Sequence, residues 1–280
     1  MKATVWGCRG SLPTPGPRTV GFGGNTSCVS VELDDDALVV LDAGTGIHEL
    51  GQRVEAGDPR SIHICLTHLH LDHLEGLRFF APLWRPESEI HVWGPPSPVS
   101  PLVERIARSF SPPLFPIQLS DVPCSLAFHD VPGGEWQIGP ARLFAEPVMH
   151  PGPTLGFRID GGGRTLAYIP DHEPFLGGED GGRASDWLSG YSVAADADVL
   201  VHDAQYTAEE YASRVGWGHS SVDQTVRYAR AARAKRLVLF HHDPLRSDDD
   251  LAALRDRASE LWGTGGPPPE LAEEGMEIRI

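Results

Sequence analysis

Lysine is nearly absent from this chain: Lys2 and Lys235 are the only two. No Lys/Arg-rich run occurs, and the formal net charge is −16. Proteins that grip nucleic acid through its phosphates display a basic face. A large polyanionic substrate is therefore disfavoured, and the acidity reads first as a solubility surface. A small anion is not excluded, because bound divalent ions invert the local charge. Cysteine is scarce and scattered, at Cys8, Cys28, Cys65 and Cys124, with no Cys-x-x-Cys. That argues against a disulfide scaffold or a thiolate zinc site and for a reducing, cytoplasmic compartment. No apolar run approaches the length of a membrane span. Met1-Lys2-Ala3-Thr4-Val5-Trp6-Gly7 lacks the apolar core of a signal peptide. Hydrophobic content of 40% and charged content of 22% are ordinary for a soluble globular chain. With 280 residues, no internal repeat and no composition shift, residues 1–280 read as one domain.

Against this background one heptapeptide stands out: Thr67-His68-Leu69-His70-Leu71-Asp72-His73. Four side chains able to bind a metal fall within six positions, directly after the apolar run Ile62-His63-Ile64-Cys65-Leu66. Imidazoles and a carboxylate at the end of a buried strand are costly as packing. They are the ligands that Zn²⁺, Mn²⁺ and Fe²⁺ prefer. In an extended stretch His68 and His70 point to one side. After a turn, Asp72 and His73 can serve a second ion. A solvated loop with histidines by chance is the plain alternative, and the specific order argues against it.

Short strands dominate the first half, at 3–6, 27–33, 37–41, 61–67 and 91–93. Asp34-Asp35-Asp36 signals a turn between the second and third. Helices are expected at 47–55 and 101–110, the latter with Pro101 in its first turn. A Pro-rich passage, 111–123, reads as an ordered surface loop. Strands resume at 125–129, 136–138, 141–147, 155–159 and 164–169, with Gly161-Gly162-Gly163 making the last two a hairpin. A flexible loop is expected over Gly177 to Gly182. Apolar runs at 199–201 and 237–240 read as buried strands. Ser221-Val222-Asp223-Gln224 fits a capping box for a helix to about Ala234. A second helix opens at Ser247, with Leu251, Leu254 and Leu261 on one face. A strand at 277–280 closes the chain. Strands and helices in this order suit sheets sandwiched between helices.

Two catalytic metals need about three ligands more than the heptapeptide offers, one of them an anionic bridge. His150, Asp171 and His241 each follow an expected strand. His219 lies just before the capped helix, where it could donate a proton or merely pack beside Trp217. Asp203 ends another strand and either orients a histidine or caps a turn.

The His-x-His-x-Asp-His core with a later His, Asp and His resembles the metallo-β-lactamase superfamily. Within it the chain is most similar to the branch of tRNA 3′-processing endonucleases and small-molecule cyclic-phosphate phosphodiesterases. Gly7-Cys8-Arg9-Gly10-Ser11-Leu12-Pro13 and Gly23-Gly24-Asn25-Thr26-Ser27-Cys28 are similar to that branch's opening segments. Asp42-Ala43-Gly44-Thr45-Gly46 resembles its Asp-x-Gly loop, and Gly218-His219-Ser220-Ser221 its catalytic-histidine segment. The resemblance spans about residues 4–244.

It implies an α/β fold: a four-layer αββα sandwich, two mixed sheets flanked by helices. It also implies that His68, His70 and His150 hold one ion, that Asp72, His73 and His241 hold the other, and that Asp171 bridges them. The cofactor would be two divalent metal ions, Zn²⁺ first, with Mn²⁺ and Fe²⁺ also suited. A hydroxide between the ions would be the nucleophile. Asp72 and His219 are the candidate catalytic residues. His241 fits the last ligand position better than its neighbour His242, and both stay open. Asp42 is expected to hold the loop below the metals; Arg9 and Asn25 are weak candidates for substrate contact and His172 for the pocket wall, while Glu173 either supports a ligand from behind or is merely solvated.

The branch's tRNA-processing members carry a basic, Gly-rich arm. Segment 94–135 here is rich in proline, and Arg105 and Arg108 are its only Arg or Lys residues. The expected substrate is therefore a small-molecule or nucleotide phosphodiester, with large nucleic acid and membrane disfavoured and a homodimer allowed. Two rivals are a lactone, thioester or amide hydrolase of the same fold, and a metal-binding biosynthetic accessory protein.

Overall fold

Alternation along the strands sets the architecture. In β1 (Lys2–Gly7) and β2 (Cys28–Glu32), Ala3, Val5, Val29 and Val31 enter one apolar cluster, while Trp6 and Cys28 enter another. Successive side chains point to opposite faces of a strand, so a sheet made of such strands is covered on both sides. The computed structural model describes residues 1–33, 37–55, 61–176, 185–264 and 266–280. The turn expected at Asp34-Asp35-Asp36 and the loop expected over Gly177 to Gly182 lie outside the described residues.

The first sheet continues with β3 (Ala37–Leu41), β4 (Ser61–Cys65), β5 (Glu89–Gly94) and β6 (Ser125–Asp130). Between them run α1 (Ile47–Arg53) and α2 (Leu102–Ala107). The second sheet starts with the meander β7 (Gly134–Ile138), β8 (Ala141–Pro147), β9 (Leu155–Gly161) and β10 (Arg164–Ile169). It then alternates strands with helices. These are α3 (Tyr191–Ala194), β11 (Val199–Asp203), α4 (Ala208–Tyr211), α5 (Val222–Ala231), β12 (Leu237–Phe240), α6 (Asp248–Trp262) and β13 (Glu270–Leu271). The final strand, β14 (Glu277–Arg279), returns to pair with β1.

Each sheet has seven strands, ordered β14-β1-β2-β3-β4-β5-β6 and β13-β12-β11-β10-β9-β8-β7. Both are mixed: β3 to β6 pair in parallel, as do β10 to β13, and the remaining pairs are antiparallel. The inner faces share one core, in which Val31, Val39 and Leu41 meet Phe157, Tyr168, Val201 and Phe240. The outer faces carry separate cores under the helices, around Ile47, Leu50 and Leu102 on one side and Val226, Leu251 and Leu254 on the other. This is the αββα sandwich expected from the sequence.

Several boundaries differ from the sequence reading. β4 stops at Cys65 rather than 67, because the Thr67 amide leaves the sheet for the Asp42 carboxylate. The helix expected over 101–110 covers only Leu102–Ala107, with Pro101 as its N-cap. The helix from Ser221 ends at Ala231, where Arg233 adopts a left-handed backbone. Leu261 is only partly buried, and Trp262 completes that face instead. The hairpin at Gly162-Gly163 forms as expected, both residues having positive φ. Segment 94–135 is no protruding arm: it packs α2 against the first sheet and supplies that sheet's edge strand, β6.

Candidate metal centre

Parallel strands end in loops at one rim of the sandwich, and the candidate residues sit there. After β4 the chain bends at Thr67, is extended at His70 and then turns in a short 3₁₀ helix, Leu71–His73. This path brings the His68 and His70 rings to 4.3 Å between centroids, and the turn swings His73 to 4.3 Å from His68. His150 follows β8, Asp171 follows β10, and His241 follows β12. His241 has φ +59°, a left-handed conformation rare outside glycine and found where surroundings impose it. That kink separates the neighbouring histidines. His241 Nε2 lies 3.3 Å from Asp72 Oδ2 and 3.2 Å from Asp171 Oδ1, while His242 Nε2 donates to the Ala272 carbonyl at 2.9 Å.

The structure thus brings all seven expected ligand candidates together. Potential ligand atoms of His68, His70 and His150 lie within 4.8 Å of one another, and so do those of Asp72, His73 and His241. Asp171 stands between the two triads. Its carboxylate is 3.0 Å from His73 Nε2, 4.0 Å from His68 Nε2 and 3.9 Å from His150 Nε2.

Outer partners fix which imidazole nitrogen faces inward. His73 Nδ1 donates to Asp42 at 2.8 Å, and His150 Nδ1 donates to the Gly218 carbonyl at 2.8 Å. His241 Nδ1 donates to Gln205 Oε1 at 3.2 Å, and His68 Nδ1 lies 3.0 Å from the Thr67 hydroxyl. Such hydrogen bonds set the tautomer and ring orientation of a metal-binding histidine. The Nε2 atoms of His68 and His73 and the Oδ2 of Asp171 are buried with no hydrogen-bond partner; the 3.0 Å approach of His73 to Asp171 is not aligned as one. Orphaned buried polar atoms are costly, and inward-facing nitrogen and oxygen lone pairs fit a divalent cation.

The electrostatics divide the cluster. Burial pushes the His68, His70 and His150 imidazoles below their usual range. Burial acts the same way on His73 and His241, but the Asp171 charge, joined by Asp72, outweighs it. His73 is raised well above the ordinary imidazole value and His241 to about 9. Burial would raise the Asp72 and Asp171 carboxyls, yet the adjacent histidines hold both well below it.

Asp42 is the buried floor. It accepts the Thr67 amide at 2.7 Å, the Thr67 hydroxyl at 3.0 Å, His73 Nδ1 at 2.8 Å and the Tyr168 hydroxyl at 3.0 Å. The sequence suggested this loop-holding role, but not the tyrosine from the other sheet. It also missed the Ser11 amide, which donates to Asp72 at 2.7 Å, and Gln205 behind His241. The Gly-Ser pair of the opening motif was the only signal. At Gly10 a Cβ would come within 2.3 Å of the His241 ring, so only glycine fits.

The weaker candidates separate. Arg9 is fully buried and ties the opening loop to Gly23 and Arg246 carbonyls, so it is no substrate contact. Asn25 is held by Glu274. His172 turns away from the rim to meet His202 at 2.9 Å. Glu173 is buried and clamps a loop, accepting the Tyr211 hydroxyl at 2.7 Å and the Gly216 and Gly218 amides at 2.8 Å each. That loop delivers both the Gly218 carbonyl to His150 and His219 to the rim. Gly218 has φ +89°, and a Cβ there would press 2.4 Å from His150 Nδ1. His219 Nδ1 donates to Asp203 Oδ2 at 2.7 Å, and its ring stacks on His241 at 4.8 Å. Asp203 also accepts the Gln205 and His172 amides, which pins it.

Two clefts open from the cluster. One, of about 340 Å³, runs past His68 and His70 to α2. The other, also about 340 Å³, runs past His219 to Ser11, Arg214 and Trp217.

Helix-flanked mixed sheets with imidazoles and carboxylates gathered on one rim are the arrangement of hydrolases of the metallo-β-lactamase fold. The chain belongs to that family: the model of the beta-lactamase superfamily domain matches residues 38–242. Among its relatives, the uncharacterised protein ML1173 of Mycobacterium leprae is 30% identical over 261 residues, 90% of this chain and 81% of that protein. The ribonuclease Z of Myxococcus xanthus is 27% identical over 296 residues, 91% of this chain and 92% of that protein. The crystal structure of the metallo-β-lactamase fold protein YhfI from Bacillus subtilis superposes with a TM-score of 0.71 at 19% identity, covering 99% of this chain and 98% of that one.

Proposed function

We propose that the protein hydrolyses a phosphodiester of a small molecule or nucleotide with a pair of divalent cations. His68, His70 and His150 would hold one cation, Asp72, His73 and His241 the other, and Asp171 would lie between them. When bound, such a pair supplies a hydroxide at neutral pH and neutralises charge on the phosphoryl oxygens. Zn²⁺ suits the imidazole-rich set best, with Mn²⁺ and Fe²⁺ as alternatives. Asp72, steadied by the Ser11 amide, orients the nucleophilic side.

The observation that carries the phosphodiester reading is the His219–Asp203 pair. Its Nδ1 is committed to Asp203, so Nε2 is left to deliver a proton. An alkoxide leaving from phosphorus needs that proton. The ribonuclease Z relative supports the same choice of bond. The four cysteines are buried and free, and no helix among the described residues is long and apolar enough to cross a membrane. Both suit a cytoplasmic enzyme.

The test compares leaving groups. His219→Asn is expected to lose about 10²- to 10⁴-fold on an alkyl phosphodiester. It should lose far less on bis(p-nitrophenyl) phosphate, whose phenolate departs without a proton. Turnover of lactones or thioesters by a metal-loaded protein inert towards every phosphodiester would overturn the proposal.

A further inference from the structure

The cleft beside His70 has an unusual charge for this molecule. The chain carries a net charge of −16. Yet the charged side chains lining this cleft are Arg105 and Arg108, and none of its described lining residues bears a carboxylate. Ser97 and Ser100 add hydroxyls, and His68 and His70 join it to the metal centre. Arg105 and Arg108 sit three positions apart at the end of α2, so they are neighbours on one helical face. The helix C-terminus favours a cation there, but two side by side also repel each other and leave donor capacity for an anion.

Their internal partners are few. Arg105 donates one Nη2 bond to the Pro95 carbonyl at 2.7 Å and lies 3.7 Å from exposed Asp130. Its Nε is buried and makes no hydrogen bond. Arg108 is exposed at the cleft mouth. A guanidinium offers a planar fork of donors matched to phosphate oxygens. The cleft, about 340 Å³, is of a size that takes a nucleotide-scale group.

We infer that this cleft binds a second phosphoryl group of the substrate, held by Arg105 and Arg108 while the scissile phosphodiester lies over the metal centre. The substrate class narrows accordingly, to a phosphodiester that carries a further phosphate. This rests on the phosphodiesterase reading for the bond cleaved, but not for the binding.

Two esters test it: thymidine 5′-(p-nitrophenyl phosphate) with a free 3′-hydroxyl, and the same ester with a 3′-phosphate. The wild type should favour the 3′-phosphate by about 10- to 100-fold in kcat/KM, the worth of charge-assisted hydrogen bonds. In Arg108→Gln, whose side chain is exposed and so free to change without unfolding the chain, that ratio should fall towards one. Arg105→Gln should lower it further. Binding gives an independent reading. Calorimetric titration of the metal-loaded protein should show thymidine 3′,5′-bisphosphate binding at least tenfold tighter than thymidine 5′-monophosphate, with the gap closed in both variants. If neither ester turns over, the phosphodiesterase reading loses these substrates and the binding ratio still decides the cleft. Equal affinity for the two nucleotides in the wild type would overturn the inference. So would a preference that survives both substitutions.

Discussion

The two triads of the centre are built from similar atoms and behave differently. His68, His70 and His150 form a set with no carboxylate of its own, and burial keeps its imidazoles neutral. Asp72, His73 and His241 form a set in which carboxylates hold protons on the histidines. On the proposed ligand assignment, the first set would meet a cation with neutral imidazoles, whereas the second would have to give up protons to bind one. The two sets would then differ in readiness, with Asp171 beside both.

Removing that common group should have the largest effect. Asp171→Ala takes away the carboxylate within 3.0 Å of His73 and 3.2 Å of His241. Loss of an outer partner alone costs roughly 10- to 100-fold in metal affinity or activity, and this inner loss should exceed that. Metal analysis of the purified variant should find at most one ion per chain, with phosphodiester turnover near background. Two ions retained with full activity would mean that the triads fill independently, and the comparison would need redrawing.

Acidity sharpens the contrast more gently. In the metal-free protein His241 titrates near 9 and His73 stays well above the ordinary imidazole range. Both therefore carry protons at neutral pH, and a cation must displace them, because metal ligands bind deprotonated. His68, His70 and His150, shifted downwards, have none to lose at neutral pH. The sign follows: lowering the pH favours protons over metal in the second triad first, and raising it towards 9 relieves the competition. Titration of the metal-free protein in buffers of different ionisation enthalpy should show proton release with one of the two ions. That ion should be lost at the higher pH as the solution is acidified. Simultaneous loss of both would remove the distinction.

The ligand candidates of the centre were legible in the sequence; the contacts behind them, assembled by the fold, were not. His68, His70, Asp72 and His73 announce themselves because ligand types crowd six positions next to an apolar strand. His150, Asp171 and His241 were marked only by following strands, yet parallel strands carry their ends to one rim, so position sufficed. The sandwich was visible in the order of strands and helices, with a capping box at Ser221 and a helix opening at Ser247, and its four layers followed from the family resemblance. The capping box at Thr207 and Glu210 was just as plain and went unread, so α4 was missed. The Tyr168 contact with Asp42 joins the two sheets, and nothing local records which inner-face residues will meet. The left-handed turn at His241 is equally silent, because its neighbour is also a histidine.

The smallest expected effect comes from the clamp that touches a ligand candidate of the first triad only, through Gly218, and carries His219 on the same loop. Glu173 holds the Tyr211 hydroxyl and the Gly216 and Gly218 amides, and Gly218 in turn holds His150 Nδ1. Glu173→Ala leaves buried donors unpartnered, which should lower unfolding stability by about 1–3 kcal/mol in a urea melt. The loosened Gly218 carbonyl no longer fixes the His150 ring. Affinity for the cation at His68, His70 and His150 should then drop about 10- to 100-fold, while the His73 side, anchored on Asp42, keeps its own. Glu173→Gln keeps the volume and one accepting oxygen and should recover part of both losses. A melt shifted as expected with both ions bound as tightly as before would show that the clamp steadies the loop without tuning the imidazole. The difference between the triads would then rest on their carboxylates alone.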